Sequence, residues 1–259
     1  MEKERLLDLK EISALPLAVR ETGEIVAFLG LERVIPETRG REDLREVFPF
    51  LNGQVPFRYL VYRDLALGGD LQVLREQGFR FDLTSLPPGT WGEEYSKTHG
   101  HYHPPVPGVG LTYAEVYEVY AGRAYFLLQR PGLQAEELED FVVVEALPGD
   151  KVLIPPGYGH VTVNVGREPL VVGNLVARDF EGLYEEWKRL GGAGYYVRRR
   201  GGVPVLEPNP RYRFLPRARK GDARCPALYG VQDLPLYLLA LVHPERFAFL
   251  RDPREVLRW

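Results

Sequence analysis

The chain has 259 residues, 45% hydrophobic and 27% charged, the make-up of a soluble globular protein with one large domain, or one domain and a smaller appendage. A net charge of −3 leaves no basic surplus for nucleic acid or an anionic membrane surface. The single cysteine, Cys225, excludes an internal disulfide framework and fits a reducing compartment.

The opening "MEKERLLDLKEI" mixes both charge signs without a continuous apolar core, so no signal peptide is expected and the reading is cytoplasmic. Residues 1–55 read as a helical and irregular extension, with a helix in "REDLREVF" (41–48) stopped by Pro49. From Phe57 aromatic and β-branched residues begin to alternate, in "FRYLVYRD", "FRFDLTSL" and "EEYSKTHGHYH", with a helix "LQVLREQ" (71–77) among them. The runs "TYAEVYEVY", "RAYFLLQR", "FVVVEALPGD", "KVLIPPG", "HVTVNVG" and "LVVGNLVA" follow, punctuated by Gly and Pro as in an antiparallel sandwich or barrel. Strands do not alternate with helices, which argues against a doubly wound fold. Residues 56–210 are therefore expected to form an all-β barrel domain.

After Asp179, "FEGLYEEWKRLGG" predicts an amphipathic helix ending at glycine, and "GYYVRRR" and "GVPVLEPN" predict two short strands. Residues 211–259 read as a C-terminal helical appendage. In it "DLPLYLLALVH" and "DPREVLRW" each open with Asp as N-cap and Pro in the first turn. The longest apolar run, 234–242, is about half of a membrane span. A homodimer is expected from this apolar tail.

The stretch "THGHYH" (98–103) holds three of the five histidines. On a strand, residues two apart share a face, so His101 and His103 would project together, about 6–7 Å apart at the backbone. Two imidazoles at that spacing can meet one ion at about 2.1 Å from each nitrogen. Glu115, on a strand expected to pair with the histidine strand, and His160, after the turn "PPGYG", would complete a three-nitrogen, one-carboxylate set for a divalent first-row ion. Glu118 would point to the opposite face from Glu115.

These residues resemble the two motifs of the cupin superfamily, roughly G(X)5HXH(X)3-4E(X)6G and G(X)5PXG(X)2H(X)3N. Gly149, Pro155, Gly157, His160 and Asn164 meet the second in full. His101, His103, Glu115 and Gly122 meet the first in part, because eleven residues separate His103 from Glu115. The resemblance implies a cupin-type antiparallel double-stranded β-helix, or jelly-roll barrel. Within that superfamily, "TxGHxH", "AEVY", "PPxxxHxTVNxGxEP", Tyr184 and "NPR" are similar to the cupin-type glucose-6-phosphate isomerases over residues 57–213.

That resemblance implies one divalent ion per chain, on His101, His103, Glu115 and His160. It also implies a sugar-phosphate substrate held by Thr98 and Gly100, with Thr84, and a pocket lined by Tyr59, Tyr117 and Tyr184. Val176 stands where another such tyrosine would be expected. Isomerisation moves a hydrogen between C1 and C2 of the open-chain sugar, and an ion on the two oxygens would stabilise the developing negative charge. Glu115 and Tyr117 are the candidates for moving the proton. A hydride shift would need no base, and the sequence does not choose between the routes. Ligand type does not choose among Fe, Mn, Ni and Zn. Lys97 and Arg80 are the cationic candidates for the phosphate, and His99 is pocket-facing or supports the site from behind. A sensing module without turnover, or another cupin enzyme such as an epimerase or dioxygenase, would use the same ligands.

Overall fold

The computed structural model describes residues 6–27, 30–31, 35–48, 58–178 and 180–258. Pro49, Phe57, Asp179, Trp259 and the expected border at 55/56 lie outside them. Two antiparallel layers make a jelly-roll barrel of the cupin type. One has six strands, in the order Lys151–Ile154, Glu115–Ala121, Leu170–Ala177, Phe79–Leu86, Tyr59–Tyr62 and Glu37–Arg39. The other has Gly159–Asn164, Ala124–Pro131 and Leu138–Ala146, with Arg219–Gly221 added in parallel at its edge. A further sheet of two hairpins, Thr90–Trp91 with Glu94–Tyr95 and Tyr195–Arg200 with Val203–Pro208, and an N-terminal sheet of three short strands complete the β structure.

The alternation in the sequence is only partial because both faces of the six-stranded layer are buried, and a strand covered on two sides reads as a continuous apolar run. On the inner face Val119, Val152 and Val172 pack with Phe126, Val144 and Val163 of the opposite layer. On the outer face Phe81, Leu83, Val116 and Leu175 pack against Leu236, Leu239, Phe247 and Phe249 from the chain's last quarter. Inner-face residues stand in rows across the strands: Glu115 opposite Val176 and Val176 opposite Arg80, then Tyr117 opposite Asn174 and Asn174 opposite Asp82. These rows carry the polar groups of the site.

Several expectations change. The segment 1–55, read as helical and irregular, contributes four short strands among its described residues, and Glu37–Arg39 joins the barrel by pairing with Tyr59–Tyr62. The helix expected over 41–48 is confined to Arg41–Leu44, whereas that expected over 71–77 is found as Asp70–Glu76. The helix expected over 180–192 spans only Glu185–Arg189, because Leu183 is bonded to Tyr102 through both backbone groups, which holds the approach extended. Gly100, at φ +80°, interrupts the strand expected over 93–103, leaving Glu94–Tyr95 and isolated bridges. The histidine segment consequently bridges to His160, and the Glu115 strand pairs with Lys151–Ile154 and Leu170–Ala177 instead.

In the tail, Asp252 accepts the Arg254 N–H at 3.2 Å as expected of an N-cap. Asp233 does not cap Leu236–Val242; the buried Glu118 carboxylate accepts the Leu236 N–H at 2.6 Å in its place. Among the described residues no helix is long and apolar enough to cross a membrane.

Candidate metal centre

His101 and His160 face each other across an antiparallel bridge, with His101 N–H donating to His160 O at 3.1 Å and His160 N–H to His101 O at 3.0 Å. This brings their ring centroids to 4.5 Å, with His103 5.2 Å from each. Glu115 Oε2 lies 3.2 Å from His103 Nε2 and 3.3 Å from His160 Nε2. One ligand atom from each of His101, His103, Glu115 and His160 falls within 4.8 Å of all the others.

The donor set fits a divalent cation. His103 Nδ1–H donates to Tyr113 O at 2.9 Å, which fixes the tautomer and leaves Nε2 with its lone pair toward the cluster. His103 Nε2 and Glu115 Oε2 are buried without a hydrogen-bond partner, an arrangement that is costly unless something between them is coordinated. Burial, reinforced by the neighbouring imidazoles, holds His101 well below the usual histidine range, and burial brings His160 down to about 4. Both are therefore neutral and able to ligate near pH 7. For Glu115 burial is the largest influence and pushes upward, but its contacts with His103, His160 and Tyr117 together hold it below the usual carboxylate range. Asn174 Nδ2 donates to Glu115 Oε1 at 2.7 Å and so aims the other oxygen at the histidines.

The cluster opens into a cavity of about 370 Å³. Tyr59, Thr84, Thr98, Gly100, Tyr117 and Tyr184 all border it, as do His99, Arg80 and Val176. Tyr117 Oη lies 3.0 Å from His160 Nε2, and burial and Glu115 raise its pKa well above the ordinary phenol range. Thr98 Oγ1 accepts the Thr162 N–H at 3.1 Å, which leaves its own hydrogen to donate elsewhere. Tyr59 is placed likewise, its oxygen accepting the His99 N–H at 3.4 Å. The Tyr184 ring stands 5.1 Å from His99 and 5.2 Å from His101. Phe180 packs on His103 at 4.8 Å, so the segment before the Glu185–Arg189 helix walls the histidines in.

Gly100 is fixed by packing as well as by its backbone. A Cβ there would lie 2.5 Å from Trp187 Cε3 on a residue at φ +80°. Gly100→Ala is expected to destabilise the protein by about 2–4 kcal/mol, from the left-handed backbone and the overpacked indole; chemical denaturation against the parent chain measures it.

Lys97 is not available to a ligand. Its ammonium is buried, pairs with Glu94, donates to Val47 O at 2.8 Å and lies over the Phe48 ring. The motif asparagine, Asn164, is structural: its Nδ2 donates to Leu86 O and Glu168 O, and its Oδ1 accepts the Gly166 N–H. Sequence reasoning missed Asn174, Asp82, Arg63, Glu37 and Arg39, all at the cavity wall. Asn174 had a signal, being the one polar side chain inside "LVVGNLVA", and Asp82 stands two positions before the candidate Thr84 in "FRFDLTSL", on the same face of that strand. Glu37 and Arg39 had none, since only pairing across a long segment brings them to the mouth.

A family model described as glucose-6-phosphate isomerase (GPI) matches residues 44–211. A protein of Thermococcus gammatolerans named glucose-6-phosphate isomerase is 32% identical over 192 residues, covering 74% of this chain and 92% of its own length. One of Thermococcus onnurineus with the same name is 30% identical over 201 residues, covering 76% and 97%. One of Pyrococcus furiosus is 32% identical over 139 residues, covering 54% and 67%. With its barrel and both sets of motif residues in place, the chain belongs to the glucose-6-phosphate isomerase family in its cupin form.

Proposed function

We propose that this chain interconverts glucose 6-phosphate and fructose 6-phosphate, using one divalent metal ion held by His101, His103, Glu115 and His160. The observation that carries the reading is the convergence of those four ligand atoms within 4.8 Å, with His103 Nε2 and Glu115 Oε2 buried and unpartnered. A divalent ion held there would supply Lewis acidity to the oxygens of the open-chain sugar. The chain's own residues do the rest. Glu115 as a carboxylate and Tyr117 as a neutral phenol stand on one face of one strand, so a proton leaving C1 or C2 has an acceptor and a donor beside it. Thr98, Thr84, Gly100, Tyr59 and Tyr184 border the remaining wall and orient the sugar phosphate through hydroxyls and close backbone approach. Phe180 and Tyr184 shield the reacting end from water.

The test is a coupled assay of fructose 6-phosphate conversion on chelator-stripped protein, repeated with Mn, Fe, Ni or Zn added singly. The expected result is turnover that is lost on stripping, by at least about a hundredfold, and restored by one or more of the four ions. Full turnover by stripped protein would remove the metal from the mechanism. Sugar-phosphate binding with no turnover under any ion would make the chain a sensing module.

A further inference from the structure

We propose that Arg39, five positions ahead of the family-matched segment, grips the phosphoryl group of the sugar phosphate and sets the preference for phosphorylated over plain sugars. The inference rests on the isomerase reading of the cavity and adds to it a residue that neither motif contains.

A phosphoryl dianion in a walled cavity calls for a cation with donors to spare. Three guanidiniums border the cavity: Arg39, Arg63 and Arg80. Arg63 is committed to two carboxylates, with Nε 2.8 Å from Glu37 Oε1 and a terminal nitrogen 3.1 Å from Asp82 Oδ2. Arg80 Nε lies within 3.0 Å of both Asp82 oxygens. Among the described residues Arg39 makes one ion pair, at 3.1 Å to Glu37 Oε2, and Glu37 is already shared with Arg63. An arginine has five N–H donors, so most of the Arg39 fork is left for an anion.

Its position along the cavity matches the substrate's length. Arg39 stands opposite Tyr59, whose oxygen takes the His99 N–H, whereas Arg63 reaches Asp82, in the row of Asn174 and Tyr117. With C1 and C2 at the ligand cluster, the phosphate-bearing C6 points away from it, past Gly100 and His99 toward Arg39. The space continues in that direction: Arg39, Tyr59, His99 and Tyr184 also border an adjoining chamber of about 270 Å³, which Lys188 lines as well. Of the chamber's three acids, Asp43 accepts the Gly40 N–H, Glu42 pairs with Arg45, and the charge of Glu46 bears on Lys188, whose ammonium also pairs with Glu185. At the junction His99 Nδ1–H donates to Gly100 O at 3.0 Å, leaving its buried, unpartnered Nε2 to accept from a sugar hydroxyl midway.

The experiment compares Arg39→Gln and Arg39→Lys with the parent chain, metal-loaded, by fructose 6-phosphate kinetics with inorganic phosphate as inhibitor. For Arg39→Gln, KM is expected to rise about ten- to a hundredfold and the phosphate inhibition constant to rise with it, while kcat falls far less. Arg39→Lys recovers part of the loss, because the charge stays and the planar fork goes. Unchanged KM and unchanged phosphate inhibition in Arg39→Gln would overturn the proposal. If Arg39→Gln loses its fold by circular dichroism, Arg39→Lys decides, with an expected rise of about three- to tenfold. If the parent chain shows no turnover, the isomerase reading fails by itself, and calorimetric titration with inorganic phosphate still decides on Arg39. Weaker binding by the variant upholds the assignment; equal binding, or none by the parent, overturns it.

Discussion

His160→Ala is expected to lower bound metal by more than about tenfold and kcat/KM by at least about a hundredfold, more than the loss typical of an outer partner of a metal ligand. The backbone of residue 160 remains paired with His101 in both directions, so the strand and the approach of the other three ligands survive. What disappears is the nitrogen 3.3 Å from Glu115 Oε2 and 3.0 Å from Tyr117 Oη. Glu115 Oε2 then keeps His103 Nε2 at 3.2 Å but loses its other imidazole neighbour, and an under-compensated buried carboxylate is costly. Metal content per chain after dialysis and the coupled assay are the two measurements. Normal metal content with normal turnover would show that the convergence of the four side chains has no part in the reaction.

Deleting everything after Arg213 is expected to leave no folded protein at all, a larger effect than the name appendage suggests. The removed residues include Leu236, Tyr237, Leu239, Phe247, Phe249 and Leu250, each at most 1% exposed and packed over the outer face of the six-stranded layer. At about 1.5–3 kcal/mol for each large buried side chain, the loss of these six is comparable to the roughly 5–15 kcal/mol by which domains are stable. The deletion also uncovers Glu118 and Lys151, whose buried pair at 2.7 Å is completed by Leu236 N–H and Gln232 O. Expression followed by size-exclusion chromatography and thermal melting reads the outcome. A soluble truncated chain with a cooperative melt and one bound ion would mean that the barrel stands without its cover.

The candidate ligand cluster was legible in the sequence because cation binding demands particular side chains at particular spacings, and three of the chain's five histidines, His101, His103 and His160, fall in such a pattern with Glu115. The route by which they meet was not legible. Two-residue spacing suggested a strand under the histidines, but Gly100 packs against Trp187 in a left-handed conformation that no strand tolerates. The rest of the wall depends on pairing between distant segments. Arg39 and Glu37 reach the cavity only because their strand adds to an edge at Tyr59–Tyr62. The helix at 236–242 was foreseen, but its cap was not: local sequence offered Asp233, whereas tertiary contact supplied Glu118 from 118 positions away. Periodicity found the strands and blurred their faces, since burial on both sides removes the polar half of the pattern.

The strand Glu115–Ala121 presents Glu115 and Tyr117 to the cavity and Glu118 to the C-terminal helix, with no spare residue between these duties. A comparison of relatives that differ in their last quarter should therefore show covariation running through the sheet, from the underside of this strand to its upper side. Exchange of the C-terminal piece between relatives would carry a penalty at the reaction centre even where no exchanged atom touches the sugar.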